Sequence, residues 1–440
     1  MRAWKLNAAG RVGGELRVPG DKSLSHRALI LGALAEGRTE IRGLLRGEDC
    51  LATLRIVRAL GVPVEDDGEV LRVQGGGPGG LTEPEDVLDA GNSGTTLRLM
   101  AGVLSGRPFL SLLTGDASLR RRPMRRVAEP LRAMGATILG RGGDHAPLAV
   151  RGAALRALAW RSPVASAQVK SAILLAGLQA AGTTTVAEPV RSRDHTERML
   201  AAFGAACRVE GTAVSLEGPA KLTGTAVAVP GDLSSAAFLL VAAAARPGAQ
   251  LTVRGVGVNP TRTGLLDVLG RMGARVSLER AATSAGEPVA DLHVRGARLR
   301  GTSVAPEEVP RLVDEVPILA VAAALAEGRT VVRGAGELRV KEVDRLAALA
   351  GELGALGVAV GVQGDTLVVE GGAGRPLRGA RVESRGDHRM AMSLAVAGLF
   401  AEGETTVRDV ACVETSFPGF ARLLLQVAPD CGIREVEDGE

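Results

Sequence analysis

Apolar and polar positions recur along the chain in a fixed order. An Ala/Leu-rich run with no polar face leads into a small-residue turn and then a β-branched stretch. The first copy is SHRALILGALAEGRTEIRG at 25–43. Related runs are TLRLMAGVLSGRP, AILLAGLQAAGTTTV, AAFLLVAAAARPGAQLTVRG, PILAVAAALAEGRTVVRG and MSLAVAGLFAEGETTVRD. Their turn glycines are Gly37, Gly106, Gly182, Gly248, Gly328 and Gly403, a repeat of roughly 65–80 residues, too long for a solenoid. A run that is apolar all round predicts a buried helix. A second marker follows each turn: LGV at 60–62, MGA at 134–136, FGA at 203–205, MGA at 272–274, LGV at 356–358 and a looser CGI at 431–433. Glycine just past a helix predicts a C-cap, with a strand beginning after it. Each unit therefore reads helix, strand, helix, strands. Six units in 440 residues suit two domains of three units, each wrapping three sheets around three buried helices.

The starts of the six apolar helices carry the polar chemistry. DKSLS, NSGTT, SAQVKS, GDLSS, DEVP and GDHR supply caps, glycines and free backbone N–H groups. If the helices in a domain run parallel, their positive ends converge on one place suited to phosphates or carboxylates. Composition narrows the partners further. Hydrophobic residues make up 46% and charged residues 23%, a globular balance that excludes general disorder. Aromatics are 2%, too few for a base-stacking nucleic-acid platform. The richest apolar run, 236–245, is about half of what spans a bilayer. Cys50, Cys207, Cys412 and Cys431 are scattered without a CxxC, which fits a reducing cytoplasm and argues against structural zinc. The five histidines show no HxxxH or HExxH, so no metal site is expected. The net charge of +4 demands no polyanion, but only five lysines stand against 48 arginines. A retained Lys marks a place where a compact ammonium matters.

Several segments concentrate candidate groups, each with a plainer reading beside it. Lys22, Ser23 and Arg27 in PGDKSLSHRA put three cationic or hydroxyl groups in one helical turn; the plain reading is a capped helix with surface charge. DAGNSGTTLR offers Gly91 and Gly94 for close backbone approach, or simply a glycine-rich cap. Arg120–Arg126 is either a solvated basic loop or a clamp for an anion. Ser166-Ala167-Gln168 and RSRDH at 191–195 extend a polar rim. Asp314 precedes a Pro-led helix, where it is a cap or a general base. In LRVKEVDRL, Lys341 and Arg345 fall one turn apart on a helical face, beside Glu342. Arg389 opens the last apolar helix.

Taken in order, GDKSLSHRA, GNSGTTLR, GDASLRRRPM, SAQVKSAILLAGL, RDHTE, NPTRTG, VDEVPILAVAAA, ELRVKEVDR and DHRMAMS make the chain resemble the 5-enolpyruvylshikimate-3-phosphate synthase family over nearly all of 6–433. SAQVKSAILLAGL and RDHTE look like its second bacterial class. The resemblance implies an α/β (α+β), two-domain enolpyruvyl transferase-like fold of six βαβαββ-type repeats with buried parallel helices. It implies crossovers near Pro19-Gly20 and Pro230-Asp232, hence one domain of 1–20 with 232–433 and another of 21–231. Residues 434–440 lie outside the match and are expected as a flexible tail. The implied reaction transfers the enolpyruvyl group of phosphoenolpyruvate to the 5-hydroxyl of shikimate 3-phosphate and releases phosphate, without a cofactor.

The same resemblance implies site roles. Lys22, Ser23, Arg27, Ser166, Ala167, Gln168, Arg193, Asp314 and Lys341 would hold shikimate 3-phosphate. Lys22, Gly94, Arg122, Gln168, Arg345 and Arg389 would hold phosphoenolpyruvate. Asp314, Glu342 and Lys22 would manage protons. In the tolerant branch of the family an Ala matches Gly94, so a glyphosate-sensitive enzyme is expected here. Relatives of the other class have a second Ser where Ala167 stands, and a Lys before the Thr-Phe-Pro turn where this chain reads Glu414-Thr415-Ser416-Phe417-Pro418. The rivals are a UDP-N-acetylglucosamine enolpyruvyl transferase, which typically carries a reactive loop Cys, and a non-catalytic anion- or RNA-binding scaffold. The expected partners are two small substrates, with no nucleic acid and no membrane, for a cytoplasmic monomer.

Overall fold

In the computed structural model, residues 1–372 and 375–438 are described. The chain divides into two compact units. The N unit is Gly20–Pro230 with Thr283–Glu287; the C unit is Met1–Pro19, Gly231–Ala282 and the chain from Pro288 onward. The N unit holds α1 (Lys22–Leu34), α2 (Glu48–Ala59), α3 (Gly94–Leu104), α4 (Arg125–Met134), α5 (Ala167–Gly177) and α6 (His195–Ala202). The C unit holds α7 (Leu233–Ala244), α8 (Gly264–Arg271), α9 (Val316–Leu325), α10 (Arg345–Ala355), α11 (His388–Gly398) and α12 (Phe420–Val427).

The odd-numbered helices are the apolar runs. In α7 every residue is buried, because none of its faces carries a charge to solvate. The even-numbered helices are one-sided. In α4, Val127, Leu131 and Met134 face inward while Arg125, Arg126 and Glu129 are exposed. Gly135 ends α4 at φ 118, a left-handed conformation that only glycine adopts without strain, and its N–H bonds back to Leu131 and Arg132. Gly106 departs from the other five turn glycines in lacking a positive φ. Its requirement is space: a Cβ there would lie 2.4 Å from Gln179 Oε1.

Each unit contains three four-stranded sheets. In the N unit, Ala226–Ala228 runs parallel to Glu36–Arg42, which pairs antiparallel with Val70–Gly76, itself antiparallel to Val64–Asp66. The sheets centred on Leu110–Thr114 and Gly182–Ala187 repeat this order of one parallel and two antiparallel pairings. So does the C-unit sheet centred on Glu327–Val332. The N-terminal strands complete two C-unit sheets. Gly13–Leu16 lies parallel to Gln250–Val253, and Arg2–Leu6 lies antiparallel to Thr405–Arg408.

The expected flexible tail needs correction. Arg434–Glu437 is a strand, antiparallel to Arg2–Lys5. The Asp438 carboxylate meets Arg381 at 2.7 Å and Arg408 at 2.8 Å. The acidic end is held because its sheet partner is the distant N-terminal strand and its charges meet arginines. Residues 439 and 440 lie outside the described residues. Half of the chain's Trp and Phe side chains sit together in the C-unit core, where Phe420 contacts the rings of Trp4, Phe238 and Phe417. Among the described residues, no helix is long and apolar enough to cross a membrane.

Candidate active site

In the N unit, the first turns of α1, α3 and α5 meet. Asp21, Ser93 and Ser166 cap them, accepting from the N–H groups of Leu24, Thr96 and Val169. His26 Nδ1 lies 2.7 Å from Thr53 Oγ1 and 3.5 Å from Thr96 Oγ1, joining α1 to α2 and α3. Burial, then the charges of Lys22 and Arg27, hold the His26 imidazole well below its usual pKa, so it is a neutral bridge. Ser93→Ala removes the cap of α3 and is expected to lower stability by about 1 kcal/mol, read by urea unfolding. An unchanged midpoint would show that the other bonds of that turn suffice.

The cationic groups of this half are spaced rather than stacked. Lys22 Nζ is 3.0 Å from Asp49 Oδ2 at the start of α2. Arg27 is buried, and its guanidinium donates to Thr196 Oγ1 (2.7 Å), Ser171 Oγ (2.7 Å) and the Ser23 carbonyl (3.0 Å), all neutral acceptors. Burial lowers its pKa to about 10; Glu197 and Asp21 oppose that shift, while Arg193 adds to it. An anion arriving here relieves both the burial cost and the Arg27–Arg193 repulsion. Arg122 donates to Asn92 Oδ1 at 3.0 Å, and Asn92 donates to Asp116 at 2.7 Å. Gln168 accepts from Arg98 at 2.7 Å and donates to Thr95 at 2.9 Å. The arginine-rich loop therefore divides. Arg122 turns inward, whereas Arg125 pairs with Asp144 at 2.7 Å and Arg120, Arg121 and Arg126 are exposed.

In the C unit, the starts of α7, α9 and α11 meet. Asp232 caps α7, and Ser234 donates to Glu315 and accepts from Arg262. Arg389, in the first turn of α11, donates to the Asp314 carbonyl at 3.1 Å and lies 3.6 Å from Glu315. Arg345 is buried between Asp387 (2.7 Å), Glu342 (2.6 Å) and Asp314 (3.7 Å). Burial works against its charge, but these carboxylates outweigh that and raise its pKa. Lys341 Nζ reaches Asp314 at 3.6 Å. Lys341 and Arg345 do not share a helical face, because Asp344 caps α10 at Arg345 and leaves Lys341 in extended backbone. They converge on Asp314 by tertiary packing instead. Asp314 is not a side-chain cap for α9, which starts after Glu315 without one.

Each unit thus gathers cations at helix starts with acids in contact, Asp49 against Lys22 in the N unit and Asp314, Glu342 and Asp387 against Arg345 in the C unit. The sequence matches the family profile "EPSP synthase (3-phosphoshikimate 1-carboxyvinyltransferase)" over residues 6–424. The chain belongs to the EPSP synthase family. It is 57% identical to the 3-phosphoshikimate 1-carboxyvinyltransferase of Desulforudis audaxviator, covering 96% of this chain and 98% of that one. It is 58% identical to the enzyme of that name from Gloeobacter violaceus, over 97% and 99%. The solved EPSP synthase of Acinetobacter baumannii shares 44% identity and a TM-score of 0.88, over 99% of this chain and 100% of that one.

Of the EPSP synthase residues expected from the sequence, Lys22, Ser23, Arg27, Gly94, Arg122, Ser166, Ala167, Gln168 and Arg193 are in the N unit. Asp314, Lys341, Glu342, Arg345 and Arg389 are in the C unit. Glu414 is exposed and Thr415 half-buried on a short 3₁₀ turn before Ser416-Phe417-Pro418. Sequence reasoning pointed to Asn92 as a donor in the glycine-rich motif but missed Asp49 and Arg98 as partners of the site. Asp49 carries no local signal beyond an acid in a first helical turn. Arg98 does, one turn after Gly94 in the same motif. Among the described residues, no group of His, Cys, Asp and Glu side chains is arranged to hold a metal.

Proposed function

We propose that the N-unit groups Lys22, Ser23, Arg27, Ser166, Ala167, Gln168 and Arg193, with Asp314 and Lys341, bind shikimate 3-phosphate. Lys22, Gly94, Arg122, Gln168, Arg345 and Arg389 bind phosphoenolpyruvate. The reaction is that of the family: the 5-hydroxyl of shikimate 3-phosphate takes the enolpyruvyl group of phosphoenolpyruvate, and phosphate leaves. The observation that carries the binding assignment is Arg27, a buried guanidinium whose hydrogen bonds all go to neutral oxygens. Its charge is completed by the phosphate of the substrate. Asp314 accepts the hydroxyl proton, with the ammonium of Lys341 at 3.6 Å and the guanidinium of Arg345 at 3.7 Å from its carboxylate. Lys22, paired with Asp49, and Glu342, paired with Arg345, handle proton delivery to the enolpyruvyl carbon and its return.

Phosphate release from the two substrates, measured against UDP-N-acetylglucosamine as alternative acceptor, tests the reading. Turnover with the sugar nucleotide and none with shikimate 3-phosphate would overturn it. The four cysteines are free, which supports a reducing, cytoplasmic setting. The chain acts as a monomer without nucleic acid, a state that sedimentation in the presence and absence of RNA checks.

The space beside Gly94 bears on glyphosate, a longer molecule than phosphoenolpyruvate. A Cβ on Gly94 would lie 2.6 Å from Arg98 Nη1 and 3.3 Å from Arg122 Nη1. Gly94→Ala therefore pushes the end of Arg98 off Gln168 and narrows the space beside Arg122. Overpacking of this kind costs about 1–3 kcal/mol, or roughly 10- to 100-fold in affinity. The parent is expected to be glyphosate-sensitive, with the inhibition constant rising by that factor in the variant and the phosphoenolpyruvate KM rising less. Equal rises, or an insensitive parent, would remove Gly94 as the discriminating contact.

A further inference from the structure

Behind the shikimate 3-phosphate residues lies a buried charge cluster that the reaction does not use. Lys170, on α5, is 1% exposed. Its ammonium lies 3.1 Å from Glu188 Oε2 and 2.8 Å from Glu197 Oε1, and donates to the Ser192 carbonyl at 3.4 Å. Glu188 and Glu197 are themselves buried. Charges are not placed in an interior without partners, and here the partners are specific. Glu188 Oε1 accepts the backbone N–H of Ser166 at 2.8 Å. Glu188 Oε2 accepts the N–H of Ser192 at 3.2 Å and its hydroxyl at 2.7 Å. One carboxylate therefore joins the cap of α5, followed by Ala167 and Gln168, to the loop that carries Arg193.

The neighbouring positions form a second connection between the same helices. Ser171, next to Lys170 on α5, lies 2.6 Å from Thr196, next to Glu197 on α6. Both hydroxyls accept from Arg27. Glu197 is also the largest of the charges that sustain Arg27 against burial. Arg27, Lys170, Glu188 and Glu197 thus lie in one connected cluster, two cations with two carboxylates, and Arg193 acts on Arg27 from beside it. Lys170 contributes by neutralising Glu188 in place, so that its carboxylate can spend its remaining lone pairs on Ser166 and Ser192.

We infer that Glu188, held by Lys170, is a positioning residue for the shikimate 3-phosphate subsite: it sets the distance between the Ser166–Gln168 turn and Arg193. This rests on the assignment of Ser166, Gln168 and Arg193 to that substrate. A merely structural role would lower stability and leave both Michaelis constants alone. A positioning role acts on one substrate. In Glu188→Ala, Lys170 keeps Glu197, so no ammonium is stranded. KM for shikimate 3-phosphate is expected to rise on the order of 10-fold or more, with KM for phosphoenolpyruvate and kcat at saturation nearly unchanged. Glu188→Gln, which keeps a carbonyl acceptor at the same length, is expected to recover part of that loss.

The experiment is steady-state kinetics on the full chain, with calorimetric binding of shikimate 3-phosphate and a circular dichroism melt for each variant. If Glu188→Ala does not fold, Glu188→Gln decides alone: weakened shikimate 3-phosphate binding with an unchanged phosphoenolpyruvate KM supports the inference. A lowered melting temperature with both Michaelis constants unchanged overturns it, as does an equal rise in both. Arg193→Ala separates the two levels. If it too leaves shikimate 3-phosphate binding unchanged, the subsite assignment fails and the inference falls with it. If Arg193→Ala weakens binding and the Glu188 variants do not, only the inference fails.

Discussion

Asp314→Ala is expected to lower kcat by about 10²–10⁴-fold, the usual loss when a positioned general base is removed. The side chain is the only part of the residue that the variant deletes. Its carbonyl still receives Arg389, so the start of α11 keeps its link to the turn before α9. Arg345 still has Asp387 and Glu342 as partners. The KM for phosphoenolpyruvate should therefore change little beside the fall in kcat. A cap role would predict the reverse, a loss of about 1 kcal/mol in stability with turnover intact, and the absence of a side-chain cap on α9 argues against that outcome. Stopped-flow phosphate release at saturating substrates is the measurement, and near-normal turnover would remove Asp314 from the proton path.

Arg345→Met is expected to destabilise the chain by about 3–5 kcal/mol, as for a buried ion pair that loses one member. Asp387, Glu342 and Asp314 all lean on this guanidinium, and Asp387 also caps α11. Methionine fills the stem volume but takes the guanidinium from Asp387 and Glu342, while Asp314 keeps Lys341 at 3.6 Å. For a unit of this size, such a loss lowers the melting temperature by roughly 10 °C. A calorimetric melt of the variant beside the parent tests this. A melting temperature equal to the parent's would mean that the acids find other partners.

Periodicity and capping chemistry are local, so the sequence alone determined the repeated helices, their burial and their starts. An all-apolar run such as 236–244 has no alternative to the interior, and Asp21, Ser93, Ser166, Asp232 and Asp387 cap wherever their neighbours are helical. The motifs at those starts also carried the family. Tertiary structure decided which groups touch. Lys22 to Asp49, Arg98 to Gln168, and Lys170 to Glu188 and Glu197 are contacts across separate elements, and no spacing encodes them. The two departures have the same origin. Lys341 and Arg345 look like one helical face until Asp344 caps the helix between them. The acidic end looks solvated until Arg434–Glu437 finds its strand partner more than 400 residues away at Arg2–Lys5. Helix formation is settled within a few turns of chain, whereas strand pairing and buried ion pairs depend on groups that only the folded chain brings within hydrogen-bonding distance.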